Sequence, residues 1–351
     1  MTPLPLPDGP PKRVAVVRLS AIGDTVRALP LVTSIKRAWP ETHLTWVIQP
    51  AALPLWRGHP DVDEFLVFRR SLGARAHAEF RRRVRDRRFD LVVCVHPCFK
   101  AAVVTRLLAA PFRLGYDRAR ARDLSWLATN HRIPARVGVP AVQHVQEDYF
   151  EFLEFLGLPV HAEWDFHFTA AERREQIGWL ESMERPVLAV VTRSTDSRKD
   201  WTLERTARVL DIAAGDLGFQ TVLVGGGSAG ELDDARRLRE LCRVPPAVEL
   251  RYDLRRLAWL LDGADVLLAP DTGPLHIAVA LGTPSIGLYG FTDPRRDGPY
   301  GRFEDLVLDR YPRMDVGRPP RRARAQAMER IEEVHVVEKL QAARERYLTN
   351  A

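Results

Sequence analysis

Two doubly wound α/β domains, each a parallel sheet covered by helices, are predicted by three observations. Short apolar runs alternate with helical patterns along the chain. The alternation comes in two series, parted by a connection near Pro159 to Phe168. The length of 351 residues, 46% of them hydrophobic, suits two cores rather than one. In the first series Val14-Ala-Val-Val17 is a buried strand, followed by a helix from about Thr25 to Arg37. Leu44–Ile48 and Phe65–Phe68 are further strands, then a basic helix runs to about Arg88 and a strand covers Leu91–Val95. Gln143–Leu156 carries Val145, Tyr149, Phe152, Leu153 and Leu156 at helical spacing and stops at Gly157, with Pro159 beyond. Continuous apolar strands between helices are the mark of a sheet buried on both faces.

In the second series the strands are Val187–Val191, Thr221–Val224, Val266–Ala269 and Ser285–Leu288, with helices near 202–217, 231–241 and 254–262 between them. Tyr311 to Pro320 reads as a Pro/Arg-rich linker. The expected domains are residues 1–165 and 166–327. A terminal helix at about 328–351, with Val334, Val337, Leu340 and Tyr347 on one face, is expected to pack back on the first domain. Ligands of such sheets sit at the carboxyl ends of the strands, so a cleft between two facing domains is the expected site.

Composition narrows the classes. The net charge of +6 comes from 47 Arg against 5 Lys. Arg69 to Arg88 holds nine arginines against Glu79 and Asp86, and a second concentration lies at Arg310 to Arg324. Guanidinium forks suit phosphate and carboxylate, so an anionic partner is one reading and a solvated basic helix face the other. Nucleic acid is disfavoured, because no known nucleic-acid module accompanies the charge. No apolar run is long enough to span a bilayer, and the start lacks the regions of a secretory signal. Cys94, Cys98 and Cys242 form neither an even disulfide framework nor a zinc pattern, which points to a reducing cytoplasm.

The most informative stretch is Ala269-Pro-Asp-Thr-Gly-Pro-Leu-His276. A strand ends at Asp271 and a helix begins around Thr272, Gly273 and Pro274, where unpaired N–H groups suit a phosphate or diphosphate. Asp271 and His276 supply side chains beside it. Near the amino terminus, Asp24 follows the first strand at a loop-to-helix junction. By position alone it reads as an N-cap for the following helix. Two further patterns compete. Gly225-Gly-Gly-Ser-Ala-Gly230, with Glu249 downstream, fits the dinucleotide fingerprint of a nicotinamide-dependent oxidoreductase. Asp61-Val-Asp63 is a D-x-D, read as a turn between His59-Pro60 and a strand.

Leu19-Ser-Ala-Ile-Gly-Asp-Thr-Val-Arg-Ala-Leu-Pro30 resembles the signature of the ADP-heptose:lipopolysaccharide heptosyltransferases, glycosyltransferase family 9. So do Asp271–His276, Ala280-Leu-Gly-Thr-Pro284, Gly290-Phe-Thr-Asp-Pro294 and Gly298-Pro-Tyr-Gly301, with Phe89–Val93 and Leu114-Gly-Tyr-Asp117 as further landmarks. The resemblance covers about Arg13 to Gly301 and implies the two-domain GT-B fold, inverting transfer from a nucleotide sugar, and no metal or other cofactor. It implies Asp24 as general base and Lys199 as the cation on the donor diphosphate. Thr192, Asp271, Thr272, Gly273, Leu275 and His276 are the further donor contacts. Tyr252 falls where the family borders the nucleobase, with a core tyrosine as its other reading, and Glu231 is a candidate for the ribose hydroxyls. Arg193 and Arg198 are candidates to assist Lys199.

The acceptor side departs from the family pattern: His96-Pro97 stands where many relatives carry Gln-Gly. His96 is therefore either an acceptor contact, an auxiliary base or a loop histidine. Arg69, Arg70, Arg118, Arg120 and Arg122 are candidates for binding an acidic core sugar. The expected partners are ADP-heptose and an anionic lipid-linked saccharide, with peripheral contact at the inner membrane. A non-catalytic sugar-nucleotide or glycan-binding module on the same fold is the alternative from another class.

Overall fold

The computed structural model describes residues 4, 6, 9–134, 142–314 and 319–348. Residues 315–318 of the anticipated linker and 349–351 of the anticipated terminal helix lie outside the described residues. The chain divides into two compact units, Met1–His167 and Phe168–Ala351.

In the first unit six parallel strands are β1 (Arg13–Val17), β2 (His43–Ile48), β3 (Glu64–Val67), β4 (Leu91–Cys94), β5 (Phe112–Gly115) and β6 (His131–Arg132). Their order is β3-β2-β1-β4-β5-β6. Val14, Val16 and Val17 register against Leu91, Val93 and Cys94 on one side and Leu44, Trp46 and Val47 on the other. β1 and β4 are buried almost throughout because helices cover both faces. The helix Ile22–Ala38 buries nearly all of its first fourteen residues, Pro30 included. It lies beside Val145–Leu156, which ends at Gly157 in the left-handed conformation. The segment that follows is fastened within this unit: the Trp164 indole donates to Val26 O at 3.0 Å, and Phe166 is buried against Trp56.

In the second unit the strands are β7 (Val187–Val190), β8 (Gln220–Val224), β9 (Ala247–Glu249), β10 (Val266–Pro270), β11 (Ser285–Tyr289) and β12 (Leu308–Asp309). The order β12-β11-β10-β7-β8-β9 repeats that of the first unit. The strand order thus reverses between β1 and β4 in one unit and between β7 and β10 in the other. A crevice opens at such a reversal, because the two flanking connections depart to opposite faces.

The terminal helix corrects the sequence expectation. Glu333–Ala343 buries Val336, Leu340 and Ala343 in the core of the second unit, not the first. Arg208 donates to Glu333 at 2.6 Å, and the Trp201 indole donates to Ile331 O at 3.0 Å just before the helix. Of the face read from periodicity, Leu340 is buried and Val337 and Tyr347 pack partly against this core, while Val334 is exposed.

Candidate functional site

At the β1/β4 reversal the connections after the two strands are stitched together. Arg18 donates from Nη1 to Val95 O at 2.9 Å, and Leu19 N–H donates to His96 Nδ1 at 3.3 Å. Asp24 lies in the first turn of the helix Ile22–Ala38. It is not an N-cap: its Oδ2 reaches back to accept the Ala21 N–H at 3.0 Å. Arg18 pairs with Oδ2, and Arg27 approaches Oδ1 at 3.4 Å. Both arginines are buried. Burial by itself would raise the Asp24 carboxyl, but the Arg18 and Arg27 charges and the Ala21 N–H outweigh it and bring it down to about 2. Asp24 is therefore ionised, with Oδ1 the less engaged oxygen.

His96 is buried beside it. Burial first, then the Arg18 and Lys100 charges, lower its imidazole to about 2. Since Nδ1 accepts the Leu19 N–H, the proton of the neutral ring sits on Nε2. This corrects the auxiliary-base reading, because the ring is a hydrogen-bond donor with no free lone pair. Lys100 escaped the sequence reading. Its Nζ donates to Ser20 Oγ at 2.8 Å, which places an ammonium on the loop that leads to Asp24.

The proposed acceptor arginines separate. Arg69 faces Glu79 at 3.9 Å, and Arg118 stacks at 4.0 Å on the Trp126 ring. No ion pair of Arg70 or Arg122 occurs among the described residues. Arg120 corrects the expectation: it bonds Asp117 at 2.8 Å and the fully buried Glu151 at 2.6 Å, so its charge holds this unit together internally.

At the β7/β10 reversal the loop after β7 meets the loop after β10. Lys199, at the end of the turn Ser197–Lys199, donates from Nζ to Asp271 Oδ2 at 2.7 Å and Asp271 O at 3.2 Å. His276 Nε2 lies 3.1 Å from Asp271 Oδ1. Asp271 and His276 are buried. Burial opposes ionisation of Asp271, yet the His276 hydrogen bond and the Lys199 charge win and hold the carboxyl well below its ordinary range. The helix Gly273–Leu281 starts here with Thr272 as its N-cap and no side-chain cap. The N–H groups of its first turn lack intrahelical partners, and Pro274 removes one of them. Gly273 and Leu275 N–H therefore stand with the Lys199 ammonium beside one buried carboxylate, a combination suited to a diphosphate.

Thr192 follows β7 on the same loop and is partly exposed. Arg193 and Arg198 do not reinforce Lys199: the first forms a fork on buried Asp234 at 2.6 and 2.7 Å, and the second pairs with Asp196. Glu231 caps its own helix, accepting the Ser228 N–H at 2.7 Å. Tyr252 is 39% exposed, with the Arg256 guanidinium 4.0 Å from its ring, so it is no core residue.

The glycine-rich turn Gly225–Gly230 follows β8, the second strand of its unit. A dinucleotide fingerprint instead follows the first strand, at the reversal. Packing accounts for Gly225 and Gly227, whereas a Cβ on Gly226 would meet nothing within 4 Å. Gly227 has φ +76° and would bring a Cβ to 2.5 Å from Arg251 N, while a Cβ on Gly225 would meet the Glu231 carboxylate. In the D-x-D, Asp61 accepts from Thr33 Oγ1 at 2.8 Å and Asp63 from Leu44 N at 2.7 Å and Lys36. His59, Asp61 and His167 converge within 4.8 Å. Yet His59 accepts the Asp61 N–H at Nδ1 and donates from Nε2 to Asp165 O, so no lone pair of its ring faces a cation.

The family model for glycosyltransferase family 9 (heptosyltransferase) matches residues 77–320. The chain belongs to glycosyltransferase family 9. This glycosyltransferase is 27% identical over 306 residues to the lipopolysaccharide core heptosyltransferase OpsX of Haemophilus influenzae, covering 87% of this chain and 86% of that one. It is 30% identical over 304 residues to lipopolysaccharide heptosyltransferase 1 of Pseudomonas aeruginosa, covering 83% and 82%. Its fold is similar to the family 9 glycosyltransferase of Veillonella parvula, with a TM-score of 0.76 at 22% identity over 95% of this chain and 97% of that one. It is also similar to E. coli heptosyltransferase WaaC with ADP, with a TM-score of 0.71 at 24% identity over 94% and 99%. The two six-stranded parallel sheets are those of a GT-B glycosyltransferase. No helix among the described residues is long and apolar enough to cross a membrane.

Proposed function

We propose that this family 9 enzyme transfers heptose from ADP-heptose, with inversion and without a metal ion, to a hydroxyl of an acidic lipid-linked inner-core saccharide. The observation that carries the reading is the Lys199–Asp271–His276 cluster at the start of the Gly273–Leu281 helix. It combines an ammonium and unpaired N–H groups with a buried carboxylate, which serves a leaving diphosphate and the hydroxyls of the sugar on it. The names of the curated relatives support heptose as the sugar.

In this reading the second unit binds the donor and the first the acceptor. The acceptor oxygen attacks the anomeric carbon from the face opposite the diphosphate, and its proton passes to Asp24 Oδ1. The bond from the anomeric carbon to the diphosphate oxygen breaks, and ADP departs with its added charge met by Lys199 and the helix N–H groups. A carboxylate as weakly basic as Asp24 suits a reaction in which the hydroxyl becomes acidic only as its new bond forms. Asp271 orders sugar hydroxyls and holds Lys199, while His276 fixes the Asp271 carboxylate. Thr192 contacts phosphate, Tyr252 lies against the adenine and Glu231 faces the ribose. His96 donates from Nε2 to the acceptor, and Arg69, Arg70, Arg118 and Arg122 attract its acidic groups. The enzyme works in the cytoplasm, peripheral to the inner membrane.

Incubation with ADP-heptose and an inner-core acceptor, followed by anomeric analysis of the product, tests the proposal. Transfer with inversion that persists in excess chelator is expected. Binding of ADP-heptose without turnover across acidic acceptors would turn the chain into a sugar-nucleotide-binding module, and loss of turnover on chelation would overturn metal independence.

A further inference from the structure

Three large apolar side chains of the first unit face water. Phe99, Leu124 and Leu127 are 61%, 63% and 62% exposed. They are neighbours through the fold: the turn Ser125–Ala128 packs against the helix Phe99–Leu107, and the Arg122 N–H donates to Pro97 O at 2.7 Å. The remainder of that helix behaves ordinarily, with Ala101, Ala102 and Val104 buried. Soluble surfaces tolerate single exposed leucines, but a group of three large apolar side chains marks a contact surface.

Cations frame the group. Lys100 adjoins Phe99, Arg122 lies two residues before Leu124, and Arg118 stands on the Trp126 ring at 4.0 Å. The charge of Arg70 acts on Lys100 from the neighbouring turn Arg70–Leu72. Against these stands the exposed Asp123, since Asp117 is held by Arg120. Apolar side chains within a cationic frame complement an anionic lipid surface, whereas a second copy would bring like charges together.

We propose that this face seats the enzyme on an anionic bilayer, with Phe99, Leu124 and Leu127 entering the interface and Arg70, Lys100, Arg118 and Arg122 meeting lipid phosphates. The proposal rests on the reading of the acceptor as lipid-linked, and it gives the geometry a purpose. Lys100 reaches Ser20 on the loop that leads to Asp24, so the docked face adjoins the place where a lipid-borne hydroxyl must arrive.

The test is co-sedimentation of the full chain with vesicles of phosphatidylcholine alone or mixed with phosphatidylglycerol. Salt-sensitive binding to the acidic vesicles only is expected. The F99S/L124S/L127S variant should lose that binding while its turnover of a delipidated, water-soluble acceptor stays at the wild-type value. Each of Arg118→Gln and Arg122→Gln should weaken vesicle binding about fivefold. Failure of the wild type to bind acidic vesicles, or wild-type binding by the triple variant, would overturn the proposal. So would conversion of a dimer to a monomer by the triple variant, which would make the face a contact between copies. Vesicle binding without any transfer would leave this surface standing and remove the transferase reading instead.

Discussion

Replacing Asp24 by asparagine tests both what this carboxylate does for the fold and what it is proposed to do for the reaction. Asparagine resembles the protonated carboxyl in shape and charge, so the pKa depression measures what the substitution removes. A fall from 3.8 to about 2 corresponds, at about 1.4 kcal/mol per pK unit, to about 2 kcal/mol in favour of the charged form. In a unit of this size that is a drop of about 4 to 8 °C in Tm, measured by calorimetry. The group is depressed in the fold, so its contribution is complete above the unfolded value and lost as pH falls through the folded one. Wild type and variant should therefore differ fully at neutral pH and converge as pH falls from about 4 to about 2. In the transfer assay the variant should lose about 10² to 10⁴ in kcat. Titration with ADP should show unchanged affinity, because the groups proposed to hold the donor lie in the other unit. Turnover within tenfold of wild type would remove Asp24 as base, and an unchanged Tm at neutral pH would show that the Arg18 and Arg27 pairs give no net stabilisation.

Lys199→Ala removes the ammonium from Asp271 and should cut kcat about 10²- to 10³-fold, with weaker ADP binding in calorimetry; unchanged values for both would exclude it from the donor site. His96, held at about 2 in the fold against 6.5 in an open chain, leaves the unfolded state binding a proton that the native state refuses. Stability should therefore fall by about 1.4 kcal/mol per pH unit below about 6.5, and His96→Asn, which retains an acceptor for the Leu19 N–H, should remove that slope from acid denaturation curves. Tyr252→Ala should raise the donor KM about three- to tenfold with kcat unchanged, whereas a fall in kcat alone would place the ring away from the base.

The sequence made plain β1, β2, β4, β7, β8, β10 and β11, whose apolar runs are buried, and also β3, where Phe65-Leu-Val-Phe68 is continuous although partly exposed. β5, β6, β9 and β12 escaped notice because they are short and partly exposed. Phe112-Arg113 and Ala247-Val-Glu249 carry no continuous apolar run, and tertiary pairing alone makes them strands. The helix Ala170–Glu181 was hidden similarly, since it buries only Gln176 and Trp179. In the site, Asp24 and Asp271 could be singled out because a loop-to-helix junction after an apolar run is a local pattern. Arg18 could not: one arginine among 47 carries no signal, and its hold on Asp24 joins the strand end to the helix start only in three dimensions. Arg120 was misjudged in part for the same reason: Asp117 stands three residues before it, but the buried Glu151 that completes its hold lies 31 residues on.

The two crevices share a device beyond their topology. Each presents a carboxylate already engaged by cations: Asp24 by Arg18 and Arg27, Asp271 by Lys199 with His276 beside it. An anion arriving at Lys199 therefore competes with Asp271 for the ammonium and meets no bare charge. That competition lowers raw affinity, but it fixes a side chain whose free rotamers are worth up to about 2 kcal/mol of entropy. The ordering takes place on folding, and the ligand finds the ammonium in position. For a reaction whose charge grows on the leaving diphosphate only in the transition state, a cation ordered in advance and released from its carboxylate as that charge develops favours the transition state over the bound donor.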